Sequence, residues 1–358
     1  MRILHLNDRL SRRGGADLHL LGVIDDLKSV AQQCLAYGRR DDGLELDIET
    51  ASVGGLDART PRPCSLQELF HSYRPDVVHV HNVMNPKALV QAADWGAMMT
   101  VQDHRTFCPG RGKQKLDGSV CREVQSKDLC RSCFTEDSYF EEIWDLTQER
   151  MDALKRMKAV VVLSDYMKNE LIQAGVQKPE IHVIPPFVHG LDSGSENTSK
   201  PCVLFVGRLV ASKGIQDVVR AWQLAETDLP LVIAGAGPER GKIGAPGIEW
   251  AGWVGPEELA LLYQRAAALV MAPRWQEPFG IVGLEAKHFK LPVVAWESGG
   301  IAEWEPEVLV PWGDVSGLAA GLRSVLSGKV LPQGTNSDYT VEQVGDLKRV
   351  YQGMMATM

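Results

Sequence analysis

The feature that most constrains this chain is an alternation of short β-rich runs with helical periodicity, and it runs through the sequence twice. In the first half, residues 2–6, 75–81, 98–102, 160–164 and 181–184 read as strands. Gly14-Gly15 opens an amphipathic stretch through Leu27, and a helix is expected from about Asp165 to Ala174. In the second half the strands are 203–206, 231–234, 248–250, 268–271 and 291–295. Strands that alternate with helices imply βαβ units and a parallel sheet. Residues 190–200 (GLDSGSENTSK) have no apolar period and read as a linker. The expectation is therefore two doubly wound domains, 1–189 and 201–338, with a cleft between them at the carboxyl ends of the strands. Beyond them, 339–358 carries Val344, Leu347, Val350, Tyr351 and Met354 on one helical stripe.

A length of 358 residues suits two domains. The formal net charge of -8 argues against broad attraction to nucleic acid, while leaving room for a few local cations around a small phosphate ligand. The opening MRILHLND reaches charge too soon for a signal peptide, and no run approaches ~20 apolar residues. A cytoplasmic protein, at most peripheral at the inner face of the membrane, is expected. The seven cysteines are an odd number, and Cys34, Cys64 and Cys202 stand alone, as in a reducing compartment.

The most informative block is 273–286, PRWQEPFGIVGLEA. Pro278 disfavours helix at Glu277 and suits a first turn, so a helix should start near Phe279-Gly280 and carry Glu285 on its second turn. Two carboxylates, one from the entering loop and one from the helix, can then reach one ligand beside free N–H groups at the helix start. A carboxylate capping its own helix accounts for Glu277 alone but leaves Glu285 unexplained. In FVGRLVASKG (205–214) a strand ends in glycine, and Arg208 and Lys213 follow. Such a pair either neutralises a diphosphate, by a fork and a point charge, or forms two solvated surface cations. Gly235 and Gly237 form a turn after a strand, which serves a nucleotide or merely a tight strand-to-helix connection.

In this order the motifs resemble the retaining glycosyltransferases of family 4 (glycosyl transferases group 1), which have the GT-B architecture. The resemblance spans nearly the whole chain: GGADLHLL, HVHN, VGRLVASKG, AGAGPER, the E-x7-E block and ESGGIAE. It implies two Rossmann-like α/β domains, with the final helix packing back on the first. It implies that Arg208 and Lys213 bind the donor diphosphate, that Glu277 and the backbone of Phe279-Gly280 bind the sugar, and that Glu285 binds the ribose. Gly14-Gly15 would approach the diphosphate from the first domain. A histidine near the reacting sugar is implied in the loop after the third strand, where His104 stands with Asp103 able to orient it. His79 and His81 share one face of their strand, where packing explains them. Where the family has an asparagine-glycine turn after the linker strand, this chain has PFVHG.

The expected activity is transfer of a sugar from a UDP-, GDP- or ADP-sugar to a glycan, lipid-linked or small-molecule acceptor with retention, and no cofactor is required. The alternatives are a nucleotide-sugar epimerase or sugar-phosphate synthase of the same fold, or a relative that binds without turnover. An insertion at about 105–137 carries Cys108, Cys121, Cys130 and Cys133 in a C-x12-C-x8-C-x2-C pattern. Four thiolates suit structural zinc, and two disulfides or reduced thiols are the other readings. Arg105, Arg111, Lys113 and Lys115 beside them face an anionic acceptor, a membrane surface or plain solvent.

Overall fold

The computed structural model describes residues 1–12, 14–188, 191, 200–332 and 339–356. Apart from Leu191 and Lys200, the expected linker lies outside the described residues. The chain divides into two units. The first comprises Met1–Leu116, Arg122–Phe187 and the C-terminal stretch from Thr340; the second comprises Asp117–Cys121 and the stretch from Val188 to Tyr339.

The first unit holds a seven-stranded sheet formed by β1 (Arg2–Leu10), β2 (Gln32–Arg40), β3 (Glu49–Ser52), β4 (Val77–Val80), β5 (Met98–Val101), β6 (Ala159–Val162) and β7 (Glu180–Val183). Their order is β3-β2-β1-β4-β5-β6-β7, with every pair parallel. Strand alternation divides its core into two faces. Leu4, Leu6, Val78, Val80, Met99 and Val101 lie in one cluster, with Phe70, Leu89 and Leu154 from the helices over that face. Ile3, Val77, Met98 and Val161 lie in the other, where Val23 and Leu27 of the helix Gly15–Leu27 meet Leu347, Val350, Tyr351 and Met354 of the helix Tyr339–Ala356. The C-terminal stripe thus completes the first unit's core.

The second unit holds β8 (Cys202–Val206), β9 (Leu231–Ala234), β10 (Ile248–Gly252), β11 (Ala266–Met271), β12 (Val293–Trp296) and β13 (Val308–Val310). The order β10-β9-β8-β11-β12-β13 is again wholly parallel. Both sheets reverse direction beside their first strand, so ligands are expected at the carboxyl ends of β1/β4 and β8/β11.

Three strands escape the sequence reading. β3 is largely exposed and β13 has only three residues, both at sheet edges. β2 begins in glutamines and ends in arginines, with its apolar burial confined to the middle. β1 also runs on through polar Asn7, Asp8 and Arg9, because β2 continues to pair with it as far as Leu10↔Arg40. Among the described residues no helix is long and apolar enough to cross a membrane.

Candidate active site

In the second unit the site grows from the β8 and β11 loops. Lys213 ends a single turn, Ala211–Lys213, and Gly214 follows at φ 67. A Cβ on Gly214 would stand 1.7 Å from the Ala272 carbonyl oxygen, so the two loops touch backbone to backbone and only glycine fits. This contact brings Lys213 to Glu277. The ammonium donates to Glu277 Oε2 at 2.7 Å, the Trp275 indole donates to the same oxygen at 2.8 Å, and the ammonium lies 4.9 Å from the Trp275 ring centroid. Arg274 forms a fork on Asp217, with Nε to Oδ2 at 2.6 Å and Nη2 to Oδ1 at 2.7 Å.

The far side of the loop is zipped to 298–300. Ser298 Oγ donates to the Trp275 carbonyl at 2.5 Å, Gly299 N to Gln276 Oε1 at 2.7 Å, and Gly300 N to the Glu277 carbonyl at 2.8 Å. Phe279 is buried, and its carbonyl accepts from the Trp304 indole at 2.7 Å. Gly280 stands at φ 93 before the helix Ile281–His288, whose first turn has no side-chain cap. Glu285 is buried on that helix and accepts from the Tyr263 hydroxyl at 2.6 Å. Burial pushes its carboxyl up to about 7, partly opposed by the tyrosine. Gly235 and Gly237 flank the next strand end, where a Cβ on Gly235 would stand 1.8 Å from the Gly207 carbonyl oxygen. Arg208 is exposed, and its side chain makes no hydrogen bond or ion pair among the described residues.

Residues 49–189 match the family described as Glycosyltransferase Family 4, and residues 200–328 match that described as Glycosyl transferases group 1. The chain belongs to family 4 of the glycosyltransferases. Among its family relatives, glycogen synthase of Mycobacterium tuberculosis is 29% identical over 288 residues, covering 73% of this chain and 63% of that protein. The chain thus spans under two thirds of that relative's length. Sucrose-phosphate synthase from Thermosynechococcus elongatus has the same fold, with a TM-score of 0.74 at 17% identity over 100% of both chains. Anabaena HepE in complex with UDP-glucose follows at 0.69 and 16%, again over 100% of both. The fold is GT-B.

In the first unit of this family 4 protein, the loop after β5 carries Asp103, which caps the turn His104–Thr106 and binds the Arg105 guanidinium through both oxygens, at 3.0 and 2.8 Å. His104 is fully buried, with Nε2 2.9 Å from the Tyr166 hydroxyl, and burial lowers its pKa to about 3. Arg105 also reaches Asn82 Oδ1 at 2.5 Å, and Asn82 Nδ2 donates to Asp8 at 3.2 Å, which joins the ends of β1, β4 and β5. Gly14 precedes the helix Gly15–Leu27 in extended backbone, φ -150. A Cβ there would meet only the side-chain ends of Arg9 and Asp17, so the fold itself does not require glycine at 14.

His79 and His81 do share a face, and His5 joins them. His5 lies 3.1 Å from His81 and 2.9 Å from Gln33, while His79 lies 2.7 Å from both Tyr351 OH and Thr100 Oγ1. Among the described residues, this trio is the one group of three or more ligating side chains whose donor atoms all lie within 4.8 Å of one another. Both nitrogens of His5 and of His79 already have partners, as a hydrogen-bonded core network requires. Cys108, Cys121, Cys130 and Cys133 are half-buried and form no such group, although the Cys108 and Cys133 thiols both approach Gly110. Lys113 is buried against Glu170 at 2.8 Å and the Glu123 carbonyl at 2.5 Å, which fastens the insertion to the helix Asp165–Gln173 rather than leaving Lys113 a free surface cation.

Sequence reasoning missed Trp275, Gln276, Arg274, Asp217 and Ser298 in the second unit and Tyr263 beneath Glu285. Arg274 and Asp217 are 57 positions apart, with no local pattern to couple them. Ser298 lay in the ESGG segment, whose link to Glu277 appears only in three dimensions.

Proposed function

We propose that the chain transfers a sugar from a nucleotide-sugar donor to an acceptor with retention at the anomeric carbon, the donor being held by the second unit. The observation that carries this reading is the Lys213–Glu277 contact of 2.7 Å at the β8/β11 reversal, with Arg208 exposed on the same loop after β8. Two cations and a fixed carboxylate at the end of a doubly wound sheet suit a diphosphate joined to a polyhydroxylated ring. HepE, of the same fold, is seen with UDP-glucose, which supports a nucleotide sugar as the ligand class.

In this reading Arg208 and Lys213 meet the charge that grows on the departing diphosphate, where fixed electrostatics lower a barrier most. The Lys213 ammonium has three donors, so it can keep Glu277 while reaching a phosphate oxygen. Glu277 and the backbone at Phe279-Gly280 take the sugar hydroxyls, and Glu285 takes the ribose. An oxygen of the leaving diphosphate accepts the acceptor's proton, so neither His104 nor a carboxylate need act as base.

The test is a thermal-shift screen of UDP-, GDP- and ADP-sugars, followed by acceptor trials with the stabilising donor and NMR of the product anomer. One donor should stabilise strongly and yield a retained linkage. Conversion of donor without any acceptor would indicate an epimerase, and an inverted product would remove the retaining mechanism.

A further inference from the structure

A charge imbalance in the first unit lies outside everything assigned above. Arg150, on the helix Asp137–Lys155, is buried, and among the described residues no carboxylate forms an ion pair with its guanidinium, although the charges of Glu149 and Asp103 act on it. It donates instead to three carbonyls: Met84 at 3.0 Å, Arg59 at 2.6 Å and Arg105 at 3.5 Å. Burying a cation without a counter-ion is costly, and carbonyl dipoles offset only part of that. Burial first, and then the neighbouring Arg105 and Arg59, lowers its pKa.

Directly over this buried cation lies the loop 55–63. Asn85 Nδ2 holds it from within through the carbonyls of Gly55 at 2.9 Å and Arg62 at 3.0 Å, and Arg150 holds it through Arg59. The loop is thus fastened by its backbone and by Leu56, which is buried in the core. Arg59, Thr60 and Arg62 are exposed and line an open cavity of about 490 Å³, together with one carboxylate, Asp57. Neither Arg59 nor Arg62 has a side-chain hydrogen bond or ion pair among the described residues. The cavity is lined by two guanidinium groups against one carboxylate, in a chain of net charge -8, a positive spot that the overall composition does not produce.

We propose that this cavity receives a phosphate group carried by the acceptor, gripped by the forks of Arg59 and Arg62 with the Thr60 hydroxyl. Arginine's planar fork matches two phosphate oxygens at once, and the buried Arg150 adds a fixed charge beneath. The inference rests on the reading of the first unit as the acceptor side, and it narrows the acceptor to a phosphorylated one.

The experiment titrates the full chain with inorganic phosphate, with acetate and chloride as controls at matched ionic strength, and follows hydrogen exchange peptide by peptide. Phosphate should slow exchange in 55–63 and 84–105, and the double variant Arg59→Ser/Arg62→Ser should weaken that response at least about tenfold, since it removes both charged forks. The double lysine variant keeps charge without the fork and should fall between. Protection no greater than with chloride, a response undiminished in the serine variant, or an equal response to acetate would each overturn the proposal. Binding of UDP-sugars, followed in peptides covering 207–214, is read in the same samples. Loss of nucleotide binding there would remove the proposed function and leave the phosphate result standing, and the reverse outcome would remove only the phosphate site.

Discussion

At the carboxyl ends of β8 and β11 the second unit keeps charged groups in the open or in a partly exposed pair. Arg208 is exposed, and Lys213 and Glu277 meet at 2.7 Å. Along β1 and β4 the first unit does the opposite. Its histidines are buried and held by Gln33, Thr100 and Tyr351, and its central arginine is buried among carbonyls. One strand order therefore supports two strategies. The second unit leaves charge accessible at its strand ends, and the first uses polar groups to fasten loops that present the surface residues around them.

The comparison breaks most readily at Arg208. Arg208→Ala should lower transfer by roughly 10²–10³-fold, as for the loss of one fixed donor to developing charge, with the melting temperature unchanged because the side chain has no partner to lose. Activity near that of the wild type would remove Arg208 from the site.

The next largest effect concerns Glu285, whose folded pKa of about 7 exceeds its ordinary value. The folded state then holds a proton that the unfolded state has released, so this group's stability is full below about 4.5 and is lost as pH rises through about 7. The shift corresponds to about 3 kcal/mol at roughly 1.4 kcal/mol per unit. Glu285→Gln should make the ligand-free second unit more stable at pH 8 and flatten its pH dependence, as read by hydrogen exchange in 256–289. An unchanged slope would show that Glu285 is hydrated.

The first unit should respond in the other direction. Burial lowers His5 from 6.5 to about 4 and takes His79 and His81 well below 6.5. Here the unfolded state binds protons first, so stability is present above about 6.5 and is lost as pH falls toward 4. Protection of β1 and β4, taken relative to the intrinsic exchange rate at each pH, should therefore fall between pH 6.5 and 5 over a range in which Glu285 favours the second unit. Parallel behaviour of the two units would contradict the contrast.

The smallest effect is at the C-terminal helix. Tyr351→Phe removes the hydroxyl 2.7 Å from His79 Nδ1 and should cost the first unit about 1 kcal/mol, visible as a lower denaturation midpoint. No change would mean that His79 finds another partner.

Much of this fold was legible in the residues because a buried parallel strand is a short apolar run whatever surrounds it. β4, β5, β6, β8, β9 and β11 announce themselves in that way. The edge strands β3 and β13 do not, since half-exposed residues carry no such pattern. The E-x7-E block was equally legible, because Pro278 and the helix start place Glu277 and Glu285 through local geometry alone. The pairing of Asp103 with Arg105 was not legible for the complementary reason. A carboxylate next to a histidine is also next to Arg105, and only folding selects the guanidinium.

By itself, then, the sequence determined two successive βα arrays, the cation-and-carboxylate loops of the second, and an apolar stripe at the end. These follow from periodicity and turn chemistry, which act over a few residues. The tertiary structure decided which groups meet across long separations: Lys213 with Glu277, Arg274 with Asp217, Tyr351 with His79, and Arg150 with three carbonyls. The reason is that hydrogen bonds and ion pairs depend on distance in space and solvent exclusion, and chain spacing encodes neither.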